Sequence, residues 1–138
     1  MSKQIAVSHG EIVDKVTILE IKKERISAAD KLANVRAEWD SMQAPLQEIQ
    51  QALKHDQQVS FLELFAALKD INTQLWEVED ALRLHERDQS FGADFVELAR
   101  SVYHLNDRRA LLKKQINTLT GSQLVEEKSY EPYQSPRQ

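Results

Sequence analysis

Nine polar side chains fall on or beside the apolar lines of the predicted helices, and these residues are the ones in this chain that could do chemistry. They are Asp14, Arg25, Asn72, Glu79, Arg83, Tyr103, Asn106, Arg109 and Lys113. A charge that is buried without a partner costs several kcal/mol, so such residues must pair with one another or with a ligand. The sequence therefore predicts a polar centre between packed helices.

Two interpretations of this polar set stay open. In the first, the cations Arg25, Arg83, Arg109 and Lys113 bind an anionic ligand, while Glu79 or Asp14 orients it or acts as an acid or base. In the second, the charges fix helix pairing and register, which is the better attested role of polar residues on a helix seam.

Apolar residues at alternating spacings of three and four predict the helices that position this centre. The longest line runs from Ile18 to Leu53, includes Arg25, and has Asp14 one step before it. It predicts a single first helix over about 10–53. Pro45 lacks the N–H that the helix needs there, but the line keeps its phase beyond it, so we expect a kink and not a break.

Two further helices are predicted, over about 60–87 and 93–120. Ser60 and Glu63 have the spacing of a capping box, and Gly121 suits the left-handed residue that ends a helix. Residues 1–121 would form an all-α unit, an antiparallel three-helix bundle or coiled-coil hairpin. Residues 122–138 lack a helical period and would form an extended tail that is partly packed and then flexible.

The unequal helix lengths raise a packing problem. A helix over 10–53 would be roughly 65 Å long, and two helices of roughly 40 Å cannot cover it. Either the first helix bends back near Pro45, or its uncovered end packs against a second copy of the chain. We expect a homodimer.

Composition argues against several classes of protein. The chain has no cysteine, which excludes disulfides, thiolate zinc sites and cysteine catalysis. Its net charge of −4 argues against nucleic-acid binding, and no window approaches the ~18 apolar residues of a membrane span. Its four histidines lack ligand spacing. We therefore expect a cytoplasmic protein without metal or cofactor, whose partners are a second copy, another protein or an anionic small molecule.

Several short segments together resemble a known group of proteins. They are Gly10 to Lys22, Leu75 to Asp80 with Arg83, Ala99 to Tyr103, Asn106 to Ala110, and Glu126 to Tyr130. The set resembles an uncharacterised bacterial family of small helical proteins, sometimes encoded near surface-glycan genes. The resemblance implies no established activity and supplies no catalytic residue. It does imply that the polar set and the segment Glu126 to Tyr130 are traits of the family.

A weaker likeness is to the all-helical chorismate mutases, which hold a dicarboxylate between Arg, Lys and Glu side chains. It rests on Asp14, Lys15 and Arg25 near the start of a long helix, and the rest of that pattern is absent.

Two hypotheses for function follow. The first is a non-enzymatic interaction or adaptor module, with surface-glycan assembly as the process that the resemblance suggests. The second is a small helical enzyme or binder that holds an anionic small molecule at Arg25, Arg83 and Arg109.

Overall fold

The computed structural model describes residues 2–133 and contains four helices. They are α1 (His9–Arg25), α2 (Ala29–Gln51), α3 (His55–Arg87) and α4 (Ala93–Thr120). The expectation of an all-α fold is confirmed, because every regular element in this range is a helix. The expectation of three helices is wrong by one.

The additional helix arises because the expected helix over 10–53 is divided in two. α1 ends at Arg25, and Ile26 and Ala28 are both extended, with ψ angles of 130° and 122°. α2 then packs against α1. The apolar line continues through the connector, and no glycine or proline marks it, so the pattern concealed the break. The chain thus covers part of its own first helix with α2.

The two later helices lie close to their expected positions. α3 begins at His55, five residues before the expected start, and Ser60 lies exposed within it. The Gln57 side chain satisfies the backbone N–H of Lys54 at this start, over 3.0 Å. α4 has the expected bounds, and Gly121 ends it with a φ of +67°. Pro45 lies inside α2, which continues to Gln51, so the helix continues past the proline as expected.

The core joins all four helices at one end of the molecule. Its buried members are Val13, Val16, Leu46, Ile49, Phe61, Leu68 and Ile116. The start of α1 lies against the end of α4, where the Gly10 N–H donates to Asn117 Oδ1 over 2.6 Å. A Cβ on Gly10 would lie 2.5 Å from the carbonyl oxygen of Lys113, so only glycine permits this approach. The close contact places Asp14, one turn further along α1, beside α4.

Candidate functional site

Asp14 is a carboxylate at the centre of the site, and only 1% of it is exposed. Arg109 of α4 donates from Nε to Asp14 Oδ1 over 2.9 Å and from Nη2 to Oδ2 over 2.5 Å. Asn72 of α3 donates from Nδ2 to the same Oδ1 over 2.9 Å. One residue from each of three helices therefore meets at this carboxylate, as the polar-centre prediction required.

A buried threonine completes this network. Asn72 Nδ2 also lies 2.9 Å from Thr17 Oγ1, and the Thr17 hydroxyl donates to the Asp14 carbonyl over 2.7 Å. Thr17 is fully buried. Since buried polar groups are costly unless they are bonded, these contacts fix the orientation of both Asp14 and Asn72. We call Asp14, Thr17, Asn72 and Arg109 the Asp14 network.

Arg109 is the member of this network that reaches solvent. Its hydrogen bond with Asp14 raises the pKa of the guanidinium, although burial opposes this, so the group stays charged. A guanidinium has five N–H donors. Asp14 takes two, which leaves three, and residues 2–133 supply no acceptor for them. Because the Arg109 side chain is 30% exposed, these donors are open to a ligand.

A cleft of about 420 Å³ lies beside Arg109, between α3 and α4, with α1 contributing to its wall. We call it the α3–α4 cleft. Its lining includes Ile18, Trp76, Glu79, Arg83, Asn106 and Arg109. Its volume is within the range of small-molecule sites, which combine apolar walls with a few polar groups.

A second group of charges surrounds Lys113, close to the start of α1. Lys113 Nζ lies 2.7 Å from Glu11 Oε2 and 3.2 Å from Glu126 Oε2. Burial acts to lower the pKa of Lys113, but its bonds with these carboxylates outweigh burial and raise it. A hydrogen bond with Glu126 and the ammonium of Lys113 together lower the pKa of Glu11. We call Glu11, Lys113 and Glu126 the Lys113 cluster.

Arg25 lies apart from both groups. It is the last residue of α1 and pairs with Glu77 over 3.1 Å, with 40% of its side chain exposed. The expectation that Arg25 faces inward is therefore wrong. It depended on a helix continuing past residue 25, and the chain turns there instead.

Glu79 and Arg83 are at the rim of the α3–α4 cleft and not in its interior. They pair with each other over 3.7 Å along α3, with 51% and 79% of their side chains exposed. Three arginines were expected to form one inward-facing cluster. Arg109 does face inward, whereas Arg83 lies at the cleft entrance and Arg25 lies apart.

Tyr103 and Asn106 lie on α4 with different surroundings. Tyr103 is 42% exposed, and its ring contacts Tyr133 at 5.3 Å between centroids. Asn106 is partly buried and lines the α3–α4 cleft together with a second, smaller cleft next to the Lys113 cluster. Of the nine predicted residues, Asn72 and Arg109 both bond to Asp14, and Asn106 lines the two clefts beside Arg109.

Several residues of the site are not among the nine that the sequence predicts. Thr17, Glu11, Asn117 and Glu126 all bond to members of the two groups or beside them. Asn117 is on the same helical line as Lys113, and Glu126 is in the segment that resembles the family, so both signals were present. Thr17 carried no such signal, because a buried threonine on a helix is ordinary.

Within residues 2–133, no group of three or more His, Cys, Asp or Glu side chains could hold a metal ion. No helix in that part of the chain combines the length and the apolar character that crossing a bilayer would need.

The comparison with protein-family models shows which family the chain belongs to. The model of a family of unknown function (DUF6165) matches residues 3–137. The chain belongs to this family. The match includes the segment after α4, so the Asp14 network, the Lys113 cluster and that segment all lie within the family's matched region. Neither a curated protein nor a solved structure matches the chain.

Proposed function

We propose that this protein binds a small molecule in the α3–α4 cleft and that Arg109 takes an acidic group of that molecule. The single observation that carries the proposal is the state of Arg109. Asp14 accepts from two of its N–H donors, the other donors have no acceptor within residues 2–133, and Arg109 lines a cleft of about 420 Å³.

The Asp14 network gives Arg109 the fixed orientation that such binding needs. An arginine recognises a carboxylate or phosphate through two parallel N–H bonds, so the plane of the guanidinium decides whether the fit is good. Asn72 and Thr17 hold Asp14, and Asp14 holds Arg109. A ligand therefore meets donors that lose little side-chain freedom on binding.

The remaining lining supports a ligand with an apolar or flat portion. Trp76 is partly exposed on the cleft wall, next to Ile18, and Asn106 offers an amide. Aromatic rings supply large contact areas at low cost in side-chain entropy. The proposed ligand thus carries an acidic group for Arg109 and a ring or apolar part for Trp76.

Tryptophan fluorescence can test this proposal directly. The chain has two tryptophans, and Trp39→Phe leaves Trp76 as the single reporter. We would titrate this variant with inorganic phosphate, succinate and a sugar nucleotide, and record thermal shifts in parallel. Saturable change of Trp76 emission by one probe is expected, together with stabilisation.

A matched pair of variants decides whether Arg109 is responsible. Arg109→Lys keeps the charge beside Asp14 but lacks the planar donors, so it should weaken binding at least tenfold while remaining folded. Arg108→Lys makes the same change at an exposed neighbour and should bind normally. Equal affinity in both variants, or no response of Trp76 to any probe, would refute the proposal.

A second candidate function is an interaction or adaptor module, and the size of the surface supports it. The accessible area is 9,944 Å², whereas a compact monomer of 15.9 kDa would expose about 7,400 Å². Part of this excess comes from the exposed residues 2–7 and 123–133, and the rest supports a second copy or another protein as partner. Surface-glycan assembly, which the family resemblance suggests, stays the proposed process. Sedimentation equilibrium should give twice 15.9 kDa, or purification from the native cell should yield a stoichiometric partner. A lone monomer in both experiments would refute it.

A further inference from the structure

The segment after α4, residues 122–133, lies along α4 and is held there by side chains. Lys113 Nζ is 3.2 Å from Glu126 Oε2, and Lys114 Nζ is 3.7 Å from Glu127 Oε2. We call residues 122–133 the tail segment. These pairs match two adjacent carboxylates with two adjacent lysines.

The other end of the tail segment has a second, different anchor. The Tyr133 hydroxyl donates to the Asp107 carboxylate. The Tyr133 ring lies edge-on to Tyr103 at 5.3 Å and to His104 at 5.0 Å between centroids. We call the surface formed by Tyr103, His104, Asp107, Lys113 and Lys114 the α4 docking face. It combines a basic end with an aromatic end that also offers one acceptor.

The tail segment is attached to α4 in the way that a bound peptide is attached to a protein surface, through side chains. Within the described residues, the backbone of the stretch from Val125 to Tyr133 forms no hydrogen bond with the backbone of the helices. Glu126 and Glu127 are 56% and 74% exposed in their side chains. Exposed ion pairs contribute little individually and exchange readily with solvent. Residues 125–133 can therefore leave α4, while Ser122 keeps its bond with His9 and Lys113 keeps its bond with Glu11.

The fit between the tail segment and α4 is also incomplete. A cleft of about 200 Å³ remains next to the tail segment. Its lining includes Asn106, Arg109, Lys113, Lys114, Asn117 and Lys128. This space leaves room for a segment with larger side chains than those of the tail.

We propose that the α4 docking face binds an extended acidic segment of a partner protein, and that the tail segment occupies this face in competition with it. The partner segment carries two adjacent carboxylates followed, after about six residues, by a tyrosine. A small polyanion does not satisfy the same surface, because Asp107 repels a negative group and accepts from a phenol. The proposal supplies a partner class for the interaction module and does not depend on ligand binding in the α3–α4 cleft.

Competition by the attached tail segment can be measured as a change in the affinity of a free peptide. A tethered segment acts at an effective concentration in the millimolar range, so a free peptide must overcome it. Weakening the attached segment should therefore strengthen binding of the free one. This relation separates a competing segment from a tail that is merely packed.

The experiment uses the full chain and a fluorescent peptide with the sequence of residues 122–133. In the Glu126→Gln, Glu127→Gln protein, whose own segment is weakened, the peptide should bind at least tenfold more tightly than to the unaltered protein. In that background, Lys114→Glu should remove most of the binding, and a peptide carrying Glu127→Lys should restore it. Lys31→Glu, at an exposed site on α2, serves as the matched control and should have no effect.

The outcomes are distinguishable from those for the other proposals. Equal peptide affinity with and without the two glutamates would overturn the competition, and binding of a scrambled peptide with equal affinity would overturn the docking face. Displacement of the peptide by inorganic phosphate at low concentration would show a general anion site in place of a peptide site. Sedimentation and Trp76 fluorescence test the other proposals independently.

Discussion

Arg109 and Asp14 are 95 residues apart in the chain, yet two hydrogen bonds join the guanidinium to a carboxylate that is almost fully buried. This pair connects the first and last helices and stands between the core and the α3–α4 cleft. It therefore affects both stability and the proposed binding, and the two effects can be separated by the choice of substitution.

We predict that Arg109→Ala lowers the free energy of unfolding by about 3 kcal/mol, because it leaves Asp14 buried and charged without its partner. Urea denaturation measures the change. Arg108→Ala, on the exposed face next to it, should change stability by less than about 0.5 kcal/mol. If the two variants were equally stable, Asp14 would not depend on Arg109.

A different substitution tests the contact that places Asp14. Gly10→Ala should cost about 2 kcal/mol, since its Cβ would meet the Lys113 carbonyl at 2.5 Å and force the helices apart. Gly92→Ala is the matched control, because no atom lies within 4 Å of its added Cβ. Thermal denaturation of both variants measures the difference. A neutral effect at Gly10 would contradict the close packing of α1 on α4.

From the charges of the Lys113 cluster we predict that the free energy of unfolding decreases in acid. The pKa of Glu11 in the folded protein is below its ordinary value of 4.5. As the pH falls, Glu11 therefore binds a proton in the unfolded chain before it does so in the folded protein. The stabilisation is therefore complete above pH 4.5 and is lost as the pH falls through the lowered pKa.

Urea denaturation over a range of acidic pH values tests this dependence. Glu11→Gln should lose stability near neutral pH and show a flatter acid profile than the unaltered protein. Glu63→Gln, an exposed change on α3, should keep the steep profile. Identical profiles for Glu11→Gln and the unaltered protein would contradict a role for this carboxylate.

Tyr133 provides a test of the tail segment at alkaline pH. The hydrogen bond to Asp107 raises the pKa of Tyr133 from 10.0 to about 12. A raised pKa means that the folded state retains the proton, so docking of the tail is fully stable below pH 10 and weakens as the pH rises towards 12.

The tyrosinate absorbance reports this titration, and Tyr133→Phe identifies which transition belongs to Tyr133. Asp107→Asn should return the pKa of Tyr133 towards 10.0. An unchanged transition in Asp107→Asn would mean that Asp107 does not hold the phenol.

Much of the fold could be predicted from local patterns. α4 has the predicted bounds, and Gly121 ends it in the left-handed conformation because glycine alone lacks the Cβ that opposes it. The break after Arg25 could not be predicted, since Ile26 and Ala28 fit a helix as well as a connector. After this break α2 packs on α1, and such packing is not visible in a local pattern.

The site was predictable where burial and charge conflict. Asp14, Asn72 and Arg109 were identified because polar groups on an apolar line require partners, and the structure pairs them with one another. Arg25 was included by the same rule and lies at a helix end, where a long side chain reaches solvent without cost. The rule thus finds candidate residues, but helix ends decide which of them are buried.

The bonds that join α1 to the last turn of α4 also bear on how the chain is made. The backbone N–H groups of His9 and Gly10 bond to Ser122 and Asn117, more than 100 positions later. During synthesis, α1 therefore lacks these contacts until α4 and Ser122 have been made. The packing of α1 on α4 must then follow synthesis of both helices, and until that point Val13 and Val16 lack the contact with Ile116 that completes their core.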